Sequence, residues 1–149
     1  MRGELTLALL PTGTILGMLF LLEALSQQRI LFASLASSAF LIYLDPTHGT
    51  NSIRTLAVAH TMSMLVGLCA YWVFGHGYIA AGAALIGSIF LMIVLDVVHP
   101  PAVGTSLVFA FRVGAENDIT LFLLALSVTG TLVILERISL WLLGRFTAR

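Results

Sequence analysis

The side chains of this sequence that could do chemistry are concentrated at one break in a long apolar run. In residues 91–111, LMIVLDVVHPPAVGTSLVFAF, Asp96 and His99 stand three residues apart and two prolines follow them. Residues three apart share one face of a helix, so this pair could pass a proton between a carboxylate and an imidazole. Titratable groups cost free energy to bury within a membrane, so they are usually functional where they occur there. At the interface, the same pair would only be hydrated and would have no further role. The stretch therefore predicts either a proton relay or a hydrated turn.

The two prolines predict the start of a helix. Pro101 suits the first helical position, because its missing N–H would have no partner there, and Pro100 precedes it. The N–H groups of residues 102–104 would then point back toward the prolines, with the hydroxyls of Thr105 and Ser106 just inside the helix. Free amides at a helix N-terminus bind anions. The alternative is that the prolines only end one helix and begin the next.

A second set of candidates lies on an apolar segment upstream. His60 stands six residues after Arg54, well inside that segment. An imidazole among apolar side chains faces another helix or a cavity, so His60 is either a satisfied core residue or a third member of the relay with Asp96 and His99. Arg54 is either an interfacial side chain whose stem lies along apolar surface or a cation that attracts an anion.

The composition indicates an integral membrane protein. Of the 149 residues, 59% are hydrophobic and 9% are charged, and the mean hydropathy is +1.06. A soluble domain carries about 25% charged residues. The formal net charge is zero, which gives no electrostatic case for binding nucleic acid. The motifs of zinc proteases, phosphate loops and hydrolase elbows are missing, so we expect no enzyme activity, no metal and no cofactor.

The hydropathy pattern predicts an all-α membrane protein with four transmembrane helices and two short half-helices. Segments of 10 and 14 residues reach roughly 15 and 21 Å at 1.5 Å per residue, against a hydrocarbon core of about 30 Å. If the short segments cross the membrane, the number of spans becomes six. The predicted spans are residues 5–24, 54–74, 78–98 and 119–143, and the short segments are residues 31–44 and 102–111. The glycines predicted to permit close helix packing are Gly67, Gly82, Gly87 and Gly130.

The order of these elements predicts one transmembrane domain, residues 1–149, built from two internal repeats. Repeat one covers about residues 5–74 and repeat two about residues 78–143, and ASSAF at 36–40 aligns with VGTSL at 103–107. Interrupted segments at matching positions of two halves point to a substrate site. The distribution of arginines places both termini in the cytoplasm by the positive-inside rule, whether or not the short segments cross.

These residues resemble the HPP family of small membrane proteins, named for the tripeptide at 99–101. The small segment Ala36-Ser37-Ser38-Ala39, the spacing of Arg54, His60 and Gly67, and Gly104-Thr105 after the prolines are all similar to the family pattern. Ile53 and Thr55 depart from it, since proline and asparagine usually flank the arginine. The resemblance implies four transmembrane helices and, as in plastid and cyanobacterial-type members, transport of nitrite or nitrate. The residues it implies for the substrate are Ser38, Arg54, His60, His99, Pro100, Pro101 and Thr105.

The leading hypothesis is therefore transport of a small inorganic anion, such as nitrite or nitrate, through a bacterial inner membrane or its equivalent. Ser38, Thr105 and Ser106 would supply hydroxyl donors, and His60 and His99 would hold or exchange a proton. Because so few helices make a thin wall, we expect a homo-oligomer within the lipid bilayer. A second hypothesis is a non-transporting scaffold or subunit of a larger complex. A metal or enzyme site at Asp96, His60 and His99 ranks lowest.

Overall fold

The computed structural model describes Gly13, residues 29–111 and residues 118–147. The predicted first span, residues 5–24, lies outside the described residues, as do Arg2, Arg112 and Arg149, which bear on the predicted orientation. The described chain folds into helices joined by turns and contains no β-strand. The all-α class is confirmed for this part of the chain.

Five α-helices and one short 3₁₀ turn make up the described fold. They are α1 (Arg29–Leu44), the 3₁₀ turn (Gly49–Asn51), α2 (Ile53–Phe74), α3 (Tyr78–Val94), α4 (Pro100–Ala110) and α5 (Asp118–Thr147). The predicted segments 31–44, 54–74, 102–111 and 119–143 correspond to α1, α2, α4 and α5 within a few residues.

Local sequence signals explain where α2 begins and ends. Ser52 is its N-cap, and the Ser52 hydroxyl accepts from the backbone N–H of Thr55 at 3.2 Å. Serine is favoured at this position because its oxygen satisfies an otherwise unpaired amide. The helix ends at Gly75, which has a φ of 73° that a glycine adopts without steric cost. The 22 residues between these signals form one uninterrupted helix.

The break at 95–99 differs from the prediction. Helix α3 ends at Val94, and Asp96 has a φ of 52°, in the left-handed region that cannot continue a helix. His99 is extended, with φ −136° and ψ 92°, and it is the N-cap of α4, which begins at Pro100. The predicted helix to residue 98 was therefore wrong. Asp96 and His99 do not share a helical face, because neither belongs to a helix.

Two described helices are long and apolar enough to cross a membrane: residues 53–74 of α2 and 119–145 of α5. Helix α3 has 17 residues and spans roughly 25 Å, whereas the span predicted there, residues 78–98, has 21 residues. Helix α1, predicted as a half-helix, has 16 residues and is nearly as long. The contrast between long and short helices is thus weaker than the repeat hypothesis assumed, and the two repeats and four spans stay predictions.

Helix α2 lies at the centre of the described fold and packs against α3, α4 and α5. Helix α4 also packs against α1 and α3, so it is surrounded by three helices. At the α2–α4 contact, a Cβ added to Gly67 would overlap the backbone of Ser106. Gly87 faces the side chain of Val66, whereas Gly82 and Gly130 have open space around them. Close packing through glycine is therefore confirmed at Gly67 and Gly87, whereas Gly82 and Gly130 meet no neighbour among the described residues.

Candidate functional site

Five buried polar side chains meet where α1, α2 and α4 pack together. They are Ser34, Ser38, His60, His99 and Thr105, and we call them the polar cluster. None of these residues is more than 4% exposed. A buried polar group that lacks a hydrogen bond is strongly destabilising, so such a group of five must satisfy itself or bind something else.

The two histidines enter the cluster from different elements. His60 lies on α2 one turn before Ser63 and two turns before Gly67, on the face that is buried against α4. His99 precedes α4 and reaches the cluster because its backbone is extended instead of helical. The two imidazole rings lie with their centroids 5.4 Å apart and their planes inclined by 53°.

Ser38 of α1 bridges the histidines. Its Oγ lies 2.9 Å from His99 Nε2 and 3.4 Å from His60 Nε2. The first distance is that of an ordinary hydrogen bond, while the second is long and correspondingly weak. A single hydroxyl thus joins two titratable rings that come from elements 39 positions apart in the chain.

Thr105 and Ser34 extend the network on the other side of His60. Thr105 Oγ1 lies 3.0 Å from His60 Nδ1 and 3.3 Å from Ser34 Oγ. The Ser34 hydroxyl donates to the carbonyl of Pro101 at 2.7 Å. This carbonyl can only accept, so the direction of that bond is settled. Ser34 and Ser38 are four residues apart, which places both on the face of α1 that packs against α4.

A backbone carbonyl settles the hydrogen position on one ring nitrogen of His99. His99 Nδ1 lies 2.8 Å from the carbonyl oxygen of Thr50 in the 3₁₀ turn. Because a carbonyl only accepts, Nδ1 carries the hydrogen and donates it. The free Nε2 of neutral His99 is then an acceptor, pointed at Ser38.

The turn that presents Thr50 is itself fixed by side chains. The buried Asn51 donates from Nδ2 to the carbonyls of Leu41 at 3.0 Å and Asp45 at 2.7 Å. The hydroxyl of Thr47 donates to the Asp45 carboxylate and, with the Thr47 amide, holds the pKa of that carboxyl below its usual range. This loop therefore positions a carbonyl for the cluster.

Four of the predicted site residues, Ser38, His60, His99 and Thr105, converge in the cluster, and Pro101 contributes its carbonyl. Others do not. The Ser106 hydroxyl donates to Val103 in its own helix at 2.8 Å, and Pro100 is exposed. Asp96 is exposed, so the carboxylate of the predicted relay is not at the cluster.

Arg54 also lies apart from the cluster. It is exposed, and its guanidinium donates to the carbonyl of Leu95 at 3.3 Å. Leu95 is the C-cap of α3, where the helix dipole favours a cation. Arg54 therefore contacts the end of a neighbouring helix and is not part of the buried network.

At the start of α4, one of the three amides predicted to bind an anion already has a backbone partner. Pro100 and Pro101 occupy the first two helical positions and have no N–H. The third position is Ala102, whose N–H donates to the carbonyl of His99 at 3.0 Å. The first three helical positions therefore offer no free amide to an anion.

Sequence reasoning missed Ser34 and Thr50. Ser34 could have been found from its spacing, because it precedes Ser38 by four residues on the same helix. Thr50 acts through its backbone carbonyl, which every residue type carries, so no signal in the sequence identifies it. In the described part of the chain, no group of three or more His, Cys, Asp or Glu side chains could hold a metal ion.

A separate groove on the outer side of α2 is entirely different in character. It has a volume of about 440 Å³ and is lined by apolar and cysteine side chains of α2 and α3, including Met62, Leu65, Cys69 and Leu91. None of its lining residues belongs to the polar cluster. The polar cluster and this groove therefore lie on opposite sides of α2.

The comparisons with known proteins rest on a single family model. The model described as "HPP, transmembrane region" matches residues 3–142 of the chain. No curated protein and no solved structure gives a significant match. The matched range includes all five members of the polar cluster and the turn that carries Thr50.

Proposed function

The chain belongs to the HPP family of membrane proteins, and we propose that it moves a small inorganic anion, nitrite or nitrate, across a membrane. Family membership and the apolar helices support a location in the bilayer and are consistent with transport. The choice of anion comes from the chemistry of the polar cluster and from the resemblance noted in the sequence.

The polar cluster is the observation that carries this proposal. It is built from hydroxyls and imidazoles, and it contains no carboxylate. Hydroxyl and N–H groups can donate to the oxygens of a planar oxyanion, whereas a site for a hard cation such as Mg²⁺ or Ca²⁺ is usually built around carboxylate oxygens. Donors in a low-dielectric interior are also worth more to an anion than donors in water.

The weakest contacts of the cluster indicate where an anion would enter. In the closed arrangement each member is hydrogen-bonded to another member or to a backbone carbonyl. The longest contacts join Ser38 to His60, at 3.4 Å, and Ser34 to Thr105, at 3.3 Å. Both contacts join α1 to the α2–α4 pair. A movement of α1 would break these two contacts, together with the shorter Ser34–Pro101 and Ser38–His99 bonds, and so release hydroxyl donors.

We further propose a homo-oligomer, with both termini in the cytoplasm of a bacterium or an equivalent compartment. Large apolar side chains cover the outside of α2 and α3, with Trp72 at 65% and Ile86 at 72% exposure. In a bilayer this surface faces lipid or a second copy of the chain. The short helices α1 and α4 need surrounding protein at membrane depth, and a second copy would supply part of it.

Nitrite flux into proteoliposomes tests the proposed function. We expect uptake by the wild-type protein and its loss, by at least about tenfold, in His99→Ala and Thr105→Val, because each removes a group that contacts the other cluster members. His76→Ala is the matched control, since His76 is exposed in the α2–α3 turn. Folded protein is checked by gel filtration and helical circular dichroism. Wild-type uptake in both cluster variants would contradict the proposal.

The second candidate is a non-transporting scaffold or subunit, and one observation favours it. Every member of the cluster has a hydrogen-bond partner within the protein, so the cluster can also serve only to fix how the three helices pack against one another. In that case purified protein shows no flux under any gradient. The cluster variants would then lose a partner protein or fold less stably without any change in transport.

A further inference from the structure

The hydroxyl of Ser38 has one hydrogen but faces two ring nitrogens. His60 Nε2 and His99 Nε2 both point at Ser38 Oγ. Ser38 can donate to only one of them. For both contacts to be hydrogen bonds, the other Nε2 must carry a hydrogen and donate it to Ser38.

In the first arrangement both rings are neutral. His99 keeps its hydrogen on Nδ1 for the Thr50 carbonyl, so its Nε2 accepts from Ser38. His60 then carries its hydrogen on Nε2 and donates to Ser38, while Thr105 donates to His60 Nδ1. The Ser34–Thr105 contact is the one left without a hydrogen, because Ser34 donates to Pro101.

In the second arrangement the cluster holds one more proton, and every bond between its members reverses. His99 now has hydrogens on both nitrogens and donates from Nε2 to Ser38, which donates to His60 Nε2. His60 carries its hydrogen on Nδ1 and donates to Thr105, which donates to Ser34. Every contact in the cluster is now a hydrogen bond, including the Ser34–Thr105 contact.

Conversion between the two arrangements is a balanced relay. A proton added at Thr105 displaces the Thr105 hydrogen to His60 Nδ1. The Nε2 hydrogen of His60 passes to Ser38, and the Ser38 hydrogen passes to His99 Nε2. Each side chain that gains a hydrogen loses another, except His99 at the end of the chain, so the net result is one positive charge on His99 and a change of tautomer at His60.

We propose that the polar cluster is a single-proton switch that couples anion movement to one proton. This inference rests on the proposed transport function. A buried imidazolium without a counter-charge is costly, and an anion in the cluster supplies that charge. The switch therefore binds the proton and the anion together and carries them as an electrically neutral pair.

No charged side chain described on the surrounding elements is hydrogen-bonded to a member of the cluster. Arg54 of α2 is exposed and donates a hydrogen bond to the carbonyl of Leu95, and Asp96 before α4 is also exposed. Asp45 in the loop is bonded to Thr47. Glu136 on α5 is buried, and its Oε2 has no hydrogen-bond partner among the described residues. The cluster itself is without an acidic member, so its added charge calls for an external anion.

Nitrogen-15 NMR of histidine-labelled protein in liposomes tests the switch without any need for transport. The chain has four histidines, and His48→Asn with His76→Asn leaves the two cluster signals. We expect His60 to change from the Nε2–H to the Nδ1–H tautomer at the same pH at which His99 becomes imidazolium. In Ser38→Ala the two changes separate, whereas Ser37→Ala keeps them together. A His60 tautomer that is constant through the protonation of His99 would overturn the proposal.

Flux measurements test the coupling. Vesicles holding nitrite-free buffer and a pH-sensitive dye receive external nitrite under a pH gradient or a voltage, and protein-free vesicles correct for nitrous acid that crosses lipid unaided. We expect the pH gradient to drive uptake, by about tenfold accumulation per pH unit, with no effect of voltage. Uptake driven by voltage with constant internal pH would overturn the coupling. No protein-dependent uptake under any gradient would contradict the proposed function, and the NMR result alone then decides the switch.

Discussion

The two faces of α2 show how one helix can serve two different environments. On the inner face His60, Ser63 and Gly67 are buried, with spacings of three and four residues. On the outer face Leu65, Cys69 and neighbouring residues are exposed around an apolar groove. Both faces follow the helical period, but His60, the side chain of α2 that joins the polar cluster, lies on the inner one.

This comparison indicates that the polar groups of the cluster lie in the interior of the chain. In a soluble helix the apolar stripe is buried and the polar face meets water. Here the surface that faces lipid is apolar, so the helical pattern is inverted. The buried imidazole of His60 has its hydrogen-bond partners on other helices, so an imidazole in an apolar segment predicts a helix contact. Substitutions on the two faces should have very different effects.

The largest effect is expected at the glycine of the inner face. Gly67→Ala places a Cβ against the carbonyl of Ser106, and backbone cannot move aside as a side chain can. We expect a loss of about 3 kcal/mol in the free energy of unfolding. Gly82→Ala is the matched control on α3, where a Cβ meets open space, and it should stabilise by about 0.5–1 kcal/mol. Thermal unfolding in detergent measures both, and equal effects would contradict the packing described for α2 and α4.

A smaller effect is expected from buried serines that differ only in their partners. Ser38 and Ser63 are both fully buried, but Ser38 faces two histidines whereas the Ser63 hydroxyl has no partner among the described residues. Ser38→Ala should cost about 1–3 kcal/mol, because it leaves an imidazole nitrogen unsatisfied. Ser63→Ala should be close to neutral. Chemical denaturation measures the free energy of unfolding of both variants. A larger loss in Ser63→Ala than in Ser38→Ala would show that the Ser63 hydroxyl has a partner.

The smallest effect is expected on the outer face. Cys69 is exposed in the apolar groove, and Cys69→Ala should change the free energy of unfolding by about 0.5 kcal/mol or less. Nitrite flux should also stay at the wild-type rate, because the groove shares no residue with the polar cluster. A loss of flux in this variant, with stability unchanged, would move the transport path from the inner face to the groove.

The helices were largely predictable from the sequence, and one boundary was not. Apolar runs between polar breaks located α1, α2, α4 and α5, because burial or lipid contact requires such runs. The end of α3 was placed at residue 98, since Val97 and Val98 are apolar and continue the run. The chain leaves the helix at Leu95 instead, and the positive φ of Asp96 turns it. Hydropathy measures the environment of a residue and does not report its backbone angles.

The sequence by itself determined the class of the protein and most of the chemistry available to it. The shortage of charge required a membrane, the tripeptide at 99–101 required a break, and Ser38, His60, His99 and Thr105 were among the polar groups in apolar segments. Only the tertiary structure decided which of these meet. It brought the four together, added Ser34 and the carbonyl of Thr50, and left Asp96, Arg54 and Ser106 outside. The physical reason is that helical spacing assigns a residue to a face, whereas the identity of the opposing group depends on how separate helices pack.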